Sequence, residues 1–318
     1  MTPTPTSETT ENTGNKSAAG PSMEAARLMR LATYASVSVA ATLIVAKFAA
    51  WVMTDSVSLL STLIDSMLDV AASLINLFAV HHALQPADDE HRFGHGKAEP
   101  LAGLAQSAFI VGSALFLFIE AGERFVHPSA IDHASVGYGV MVFSIVLTIM
   151  LVVFQRHVVR KSGSVAIGAD SLHYQTDVLI NGSVLVSIFL ASEMGYTAAD
   201  PVFALGIAIY IIITAWKIGT EALHILMDRE LPDDDRRRII ELANSEDGVE
   251  GVHDLKTRSS GIQTFIQMHV EMNGDMTLRR AHEIADAVEL RVERAFPNSE
   301  VIVHQDPAGF EDVDREFQ

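Results

Sequence analysis

Six stretches of this chain, near residues 29–53, 57–83, 100–122, 135–156, 164–191 and 199–221, are predominantly apolar and more than 20 residues long. Crossing about 30 Å of hydrocarbon takes roughly 20 helical residues. No water is available there to the backbone N–H and C=O groups, so every span must satisfy them internally. An open set of such segments is therefore helical. The pattern predicts an α-helical membrane domain of six transmembrane helices.

Charge locates the remainder. The chain has 318 residues, is 49% apolar with a mean hydropathy of +0.25, and yet carries a net charge of −18. Two regions with different solvent preferences reconcile these values. Residues 228–318 hold 22 Asp and Glu against 11 Lys and Arg, so much of the negative charge lies beyond the last span. The acidic balance argues against nucleic acid as a partner. The first 26 residues are rich in Thr, Ser, Pro and Glu and lack the basic start and apolar core of a signal peptide, which reads as a disordered cytoplasmic tail. There is no cysteine, so disulfides and thiolate metal sites are excluded. Any metal must be held by His, Asp, Glu or backbone oxygen.

Lys and Arg placement orients the spans. Arg27 and Arg30 precede the first; Arg92 and Lys97 lie between the second and third; Arg156, Arg160 and Lys161 lie between the fourth and fifth; Lys217 closes the sixth. The opposite loops offer Arg124 alone. The positive-inside rule places both termini and the 84–99 loop in the cytoplasm. Lys47 is expected to snorkel toward the outer interface, where Trp51 and Tyr196 also fit, with Trp216 at the inner one.

After Asp228 the periodicity changes. Asp233 to Asn244 reads as a helix following Pro232. Val252 to Thr257 and Gln263 to Met272 read as strands joined by a Ser-Ser-Gly turn. Leu278 to Phe296 has the apolar spacing of a helix, and Glu300 to His304 is a short strand. The order αββαβ predicts a small α+β domain. The expected division is a tail over 1–26, the membrane domain over 27–224, the cytoplasmic domain over 225–307 and an acidic tail over 308–318.

The strongest chemical signal is intramembrane. The second span holds Asp65 and Asp69, and the fifth holds His173 and Asp177, each pair four residues apart. Residues i and i+4 share a helix face. Two such faces brought together give three carboxylates and one imidazole, a tetrahedral set for a borderline divalent ion. A carboxylate at mid-bilayer costs at least about 2.5–3.5 kcal/mol, and three together repel, so a cation or protons must neutralise them. Polar packing between helices is the competing reading, and Asn181, one turn beyond Asp177, fits either one. An intramembrane aspartyl protease needs its two acids on different helices. A passive channel would be slowed by four strong ligands.

Asp88, His91 and His95 in the loop are either a metal site or a solvated charged turn. His253, His269, His282, His304 and Asp306 fall on separate predicted elements, and spacing alone does not separate a site from scattered surface residues.

Longer strings say more. LIDSMLDVAASLINL in the second span, LQPADDEHRFGHGKAE after it, ADSLHYQTDVLING in the fifth span, RELPDD after the sixth and VIVHQDP near the end together resemble the cation diffusion facilitator family, in its bacterial zinc/iron efflux branch. The likeness runs from about Arg27 to Pro307. It implies a homodimer in the bacterial inner membrane that exports Zn2+, with Cd2+, Fe2+ and Co2+ as related substrates, in exchange for protons. It also implies a metallochaperone-like cytoplasmic domain. By the same resemblance Asp65, Asp69, His173 and Asp177 are the transport site, and Asp88, His91 and His95 a loop site. His253, His269, His282, His304 and Asp306 would then be ligands of a cytoplasmic binuclear site. Lys97 and Asp228 would form an ion pair that ties the two protomers near the membrane surface. The polar start before Arg27 and the acidic end after Pro307 depart from the family pattern without touching a proposed ligand.

Overall fold

The computed structural model describes residues 23–54, 57–126, 135–194, 199–261 and 263–309. Within the helix that begins at Val57, the side chains of residues 57–62, 64 and 65 fall outside that description, and so does the expected position of Tyr196. Six long helices come first: α1 (Met23–Thr54), α2 (Val57–Ala83), α3 (Ala98–Val126), α4 (Ser135–Ser162), α5 (Val165–Met194) and α6 (Ala199–Leu226). By length and composition Met23–Met53, Ala98–Glu123, Gly139–Ser162 and Val202–Leu226 are apolar enough to cross a membrane. The other two helices, α2 and α5, are as long and carry the acids and the imidazole.

Burial in this bundle is inverted relative to a water-soluble protein. Phe48, Phe78, Phe116, Ile119, Val153 and Trp216 are exposed on the outside, while Ser36, Ser73, Asn76, Gln106, Gln155 and Asp170 are buried inside. A contiguous apolar exterior of this size is a liability in water but the natural surface toward lipid. The helices pack chiefly as α3 on α6, α1 on α2 and α4 on α5, with α5 also reaching α6, α3 and α2. That central position of α5 brings its polar face to the others. Lys47 does not turn outward as expected. Its Nζ donates to Ser66 Oγ on α2 at 2.7 Å, because a buried acceptor is within reach of the neighbouring helix.

The cytoplasmic domain consists of α7 (Asp233–Asn244), β1 (Gly251–Ser260), β2 (Gln263–Met272), α8 (Leu278–Ala295) and β3 (Ser299–Pro307). Three acids in the first turn of α7 complement the helix dipole, and Thr277 caps α8 by accepting from the Arg280 amide. The sheet order is β1-β2-β3, with β1 antiparallel and β3 parallel to β2. Alternation along β2 sends Ile266, Met268, Val270 and Met272 into a core with Ile239 and Ala243 of α7 and Ile284, Val288 and Val292 of α8. The opposite face of β2 carries Gln267, His269 and Glu271. The strands at 252–257 and 300–304 extend further than expected, because ladder pairing continues through polar residues after the apolar alternation has stopped.

The 84–97 loop joins the two domains. Phe93 meets Phe265 edge-on at 5.7 Å, and the Arg258 guanidinium lies 4.4 Å from the Phe265 ring and 5.1 Å from Phe93. Asp228, at a positive φ of 55°, pairs with Lys97 at 2.9 Å and with Arg258 at 3.5 Å. Gly96 lies against the turn between β1 and β2: a Cβ there would sit 2.2 Å from the Ser260 carbonyl oxygen. Gly96→Ala must therefore displace backbone, at a cost of about 1–3 kcal/mol. Gly112→Ala meets nothing within 4 Å and should be neutral or stabilising. Thermal unfolding of the two purified variants checks the contrast.

Candidate metal centres

The membrane centre forms where α2 meets α5. One helical turn separates His173 from Asp177, so both project from one face of α5 toward Asp69 of α2. The ligand atoms of Asp69, His173 and Asp177 lie within 4.8 Å of one another. His173 Nε2 is 3.0 Å from Asp69 Oδ1, a hydrogen bond with the imidazole as donor. A cation held by both atoms takes the place of that proton. The Asp65 side chain, expected one turn before Asp69, lies outside the described residues. Asn181, which spacing left open, bonds its own helix: its Nδ2 donates to the Asp177 carbonyl at 2.8 Å.

A buried network braces this centre. Asp170, one turn before His173 and 1% exposed, accepts from Ser36 Oγ of α1 at 2.6 Å, Gln155 Nε2 of α4 at 2.7 Å and Gln106 Nε2 of α3 at 3.2 Å. Tyr174 adds a bond of 2.8 Å between its hydroxyl and Ser73 of α2. Sequence reasoning passed over Asp170, although an acid inside a span is itself a functional signal. Interhelical hydrogen bonds in membranes average about 0.6 kcal/mol each, so Asp170→Ala should cost about 2 kcal/mol. A lowered unfolding midpoint in detergent would register it. Asn76, two turns from Asp69 on α2, is buried with both amide atoms unpartnered. With Ser73 it extends the polar stripe toward the loop end of that helix.

In the loop, the Asp88 carboxylate accepts from the His91 amide at 2.6 Å and the Glu90 amide at 3.0 Å. The His91 amide bond, first among these, holds the Asp88 carboxyl below its ordinary range, so the group is an anion wherever it would serve as a ligand. His91 Nδ1 is 3.3 Å from Asp88 Oδ1 and His95 Nε2 is 3.3 Å from Asp88 Oδ2. All three residues offer ligand atoms within 4.8 Å of one another.

The cytoplasmic centre is built by strand register. His253 of β1 stands opposite His269 of β2, and His269 opposite His304 of β3, so three imidazoles line one level of the sheet. Asp306, two residues beyond His304, points to the same face. Its carboxylate is 2.7 Å from His269 Nδ1, 3.4 Å from His253 Nε2 and 3.2 Å from His304 Nε2. The converging set is His253, His269 and Asp306, with His304 attached through Asp306. His282 lies exposed on α8, 3.6 Å from Asp286, and is not in that set. Two acids not anticipated also approach. Glu271 lies 3.2 Å from His253, and Asp254 lies 3.7 Å from His269. The hydrogen bond from Lys256 lowers the Asp254 pKa. Both were legible as near neighbours, Asp254 adjacent to His253 and Glu271 two residues along from His269. The Lys97–Asp228 pair forms within one chain and joins the loop to the segment after α6.

All three clusters present only nitrogen and oxygen donors, a set suited to zinc, cobalt or iron(II). Residues 33–227 match the cation efflux transmembrane domain, and residues 231–308 match the cation efflux protein cytoplasmic domain. Cation-efflux pump FieF of Salmonella paratyphi A is 52% identical over 281 residues, covering 88% of this chain and 93% of that one. The same pump of Salmonella agona is likewise 52% identical over the same coverage. Among solved structures, CzrB is 32% identical, covering 25% of this chain and 99% of its own, with a TM-score of 0.24. A nickel form of the MamM CTD is 28% identical, covering 24% and 98%, with a TM-score of 0.23.

Proposed function

The chain belongs to the cation efflux family, and on that premise we propose that it exports a divalent transition-metal ion, Zn2+ foremost, from the bacterial cytoplasm in exchange for protons. It works as a homodimer in the inner membrane with both termini in the cytoplasm. The observation that carries this reading is the convergence of Asp69, His173 and Asp177 from two helices inside the bundle. Asp65 completes the set.

Acids in hydrocarbon need a cation or protons. Metal binding requires the deprotonated ligands and so expels protons. Zinc and protons thus compete for one site, and exchange follows if the site opens alternately to each side. Rocking of helices around a midplane site is the general way to do this. Released zinc is replaced by protons from outside, and their return inward drives the next export.

The loop and cytoplasmic clusters serve as regulatory or structural metal sites. Two copies of an acidic domain repel, and zinc on the histidine row reduces that repulsion, favouring one dimer arrangement. The Lys97–Asp228 pair holds the loop and the α6 end together where the protomers meet. The test is paired flux in proteoliposomes, one dye reporting zinc and another pH, with Cd2+, Fe2+ and Co2+ as competitors. Zinc movement accompanied by opposite proton movement is expected. Zinc movement that leaves pH unchanged and ignores an imposed pH gradient would reduce the protein to a passive conduit.

A further inference from the structure

We propose that His82 is a fourth protein ligand of the loop site, so that a divalent cation bound there grips the end of α2, the helix that carries Asp69. This rests on the reading of the loop as a metal site and adds a residue to it.

His82 belongs to the last turn of α2. Its ring centroid lies 4.4 Å from that of His95, which in turn lies 4.6 Å from that of His91. His95 is thus flanked by two imidazoles, while its Nε2 faces Asp88 Oδ2 at 3.3 Å. The second observation is independent of ring spacing. His95 is 7% exposed, and its Nδ1 is buried with no hydrogen-bond partner. Burial fixes this ring, and the nitrogen it turns toward Asp88 is Nε2, the atom through which His95 would share a cation with that carboxylate.

Asp88, His91 and His95 alone leave an open position on a tetrahedral ion; a third imidazole closes it as His3Asp. His82 is exposed and stands just outside the converging set of Asp88, His91 and His95, so joining it requires its ring to turn about its two side-chain torsions. The fourth protein ligand fills the position that water would otherwise take on the ion. The consequence is mechanical. The same loop seats Phe93 on Phe265 and Gly96 on Ser260 of the cytoplasmic domain. A cation bridging His82 to the loop therefore couples α2, and with it the Asp69 face, to that domain.

The absence of cysteine makes a direct test available in the full-length chain. His82→Cys introduces a sole thiol. On titration with Co2+ it should develop a sulfur-to-cobalt charge-transfer band in the near ultraviolet, and adding His91→Ala should abolish the band. His82→Phe keeps a ring without a ligand atom. At a free Zn2+ concentration that just fills the wild type, it should carry one ion fewer per protomer. A silent thiol, a band that survives His91→Ala, or an unchanged zinc count in His82→Phe would each overturn the proposal. The loop reading is judged separately by His91→Ala alone. An unchanged zinc count there removes the loop site and the proposal together, whereas a reduced count with a silent thiol removes only the role of His82.

Discussion

Asp69→Ala and His173→Ala should each lower zinc flux into proteoliposomes by about two orders of magnitude or more. Groups one shell beyond a metal already account for roughly tenfold to hundredfold in affinity or activity, and these two are placed to touch the ion. Asp69 and His173 face each other at 3.0 Å within the converging set. Removing Asp69 takes away an anion that offsets the ion's charge. Removing His173 leaves Asp69 and Asp177 to repel without the imidazole between them. Asp69→Asn sharpens the test, because its amide oxygen can still accept from His173 but carries no charge. It should be as stable as the wild type and nearly as inactive as the alanine variant. Flux near the wild-type rate in either alanine variant would remove the membrane centre from the mechanism.

His269→Ala should abolish the stabilisation that zinc confers on the cytoplasmic domain. A ligand that binds only the folded form stabilises it by about 2.7 kcal/mol at one hundred times its Kd. His269 occupies the middle strand, in register with both other histidines and 2.7 Å from Asp306. Its loss breaks the set at the centre rather than at the edge. The unfolding transition of the cytoplasmic domain should show the full zinc shift in the wild type and almost none in the variant, while the membrane domain keeps its own zinc response in both. Transport through α2 and α5 should survive, since no residue of the membrane centre is touched. An equal zinc shift in wild type and variant would dissolve the cytoplasmic centre.

What could be read from the sequence follows the range of the interactions. Asp69, His173 and Asp177 were legible because i,i+4 spacing is a property of a single helix, and the hydrophobic lengths that frame them are local too. The order αββαβ was legible from alternating and 3.6-residue patterns in the same way. Asp170 was not, because its importance comes from Ser36, Gln106 and Gln155 on three other helices. Spacing alone left the histidine row as scattered residues, and only the family resemblance joined them into a site. Positions 253, 269 and 304 become neighbours through one antiparallel and one parallel pairing, and no sequence interval encodes that register. Lys47 shows the same effect on a smaller scale. Its place in the span suggested snorkelling, but Ser66 on the neighbouring helix captured its amine.

Anomalous scattering at the zinc edge from crystals of the zinc-loaded protein would locate each bound ion. A peak is expected inside the membrane domain, bounded by Asp65 and Asp69 from α2 and by His173 and Asp177 from α5. Zinc peaks confined to the loop and the cytoplasmic sheet, with none between those two helices at saturating metal, would contradict that expectation.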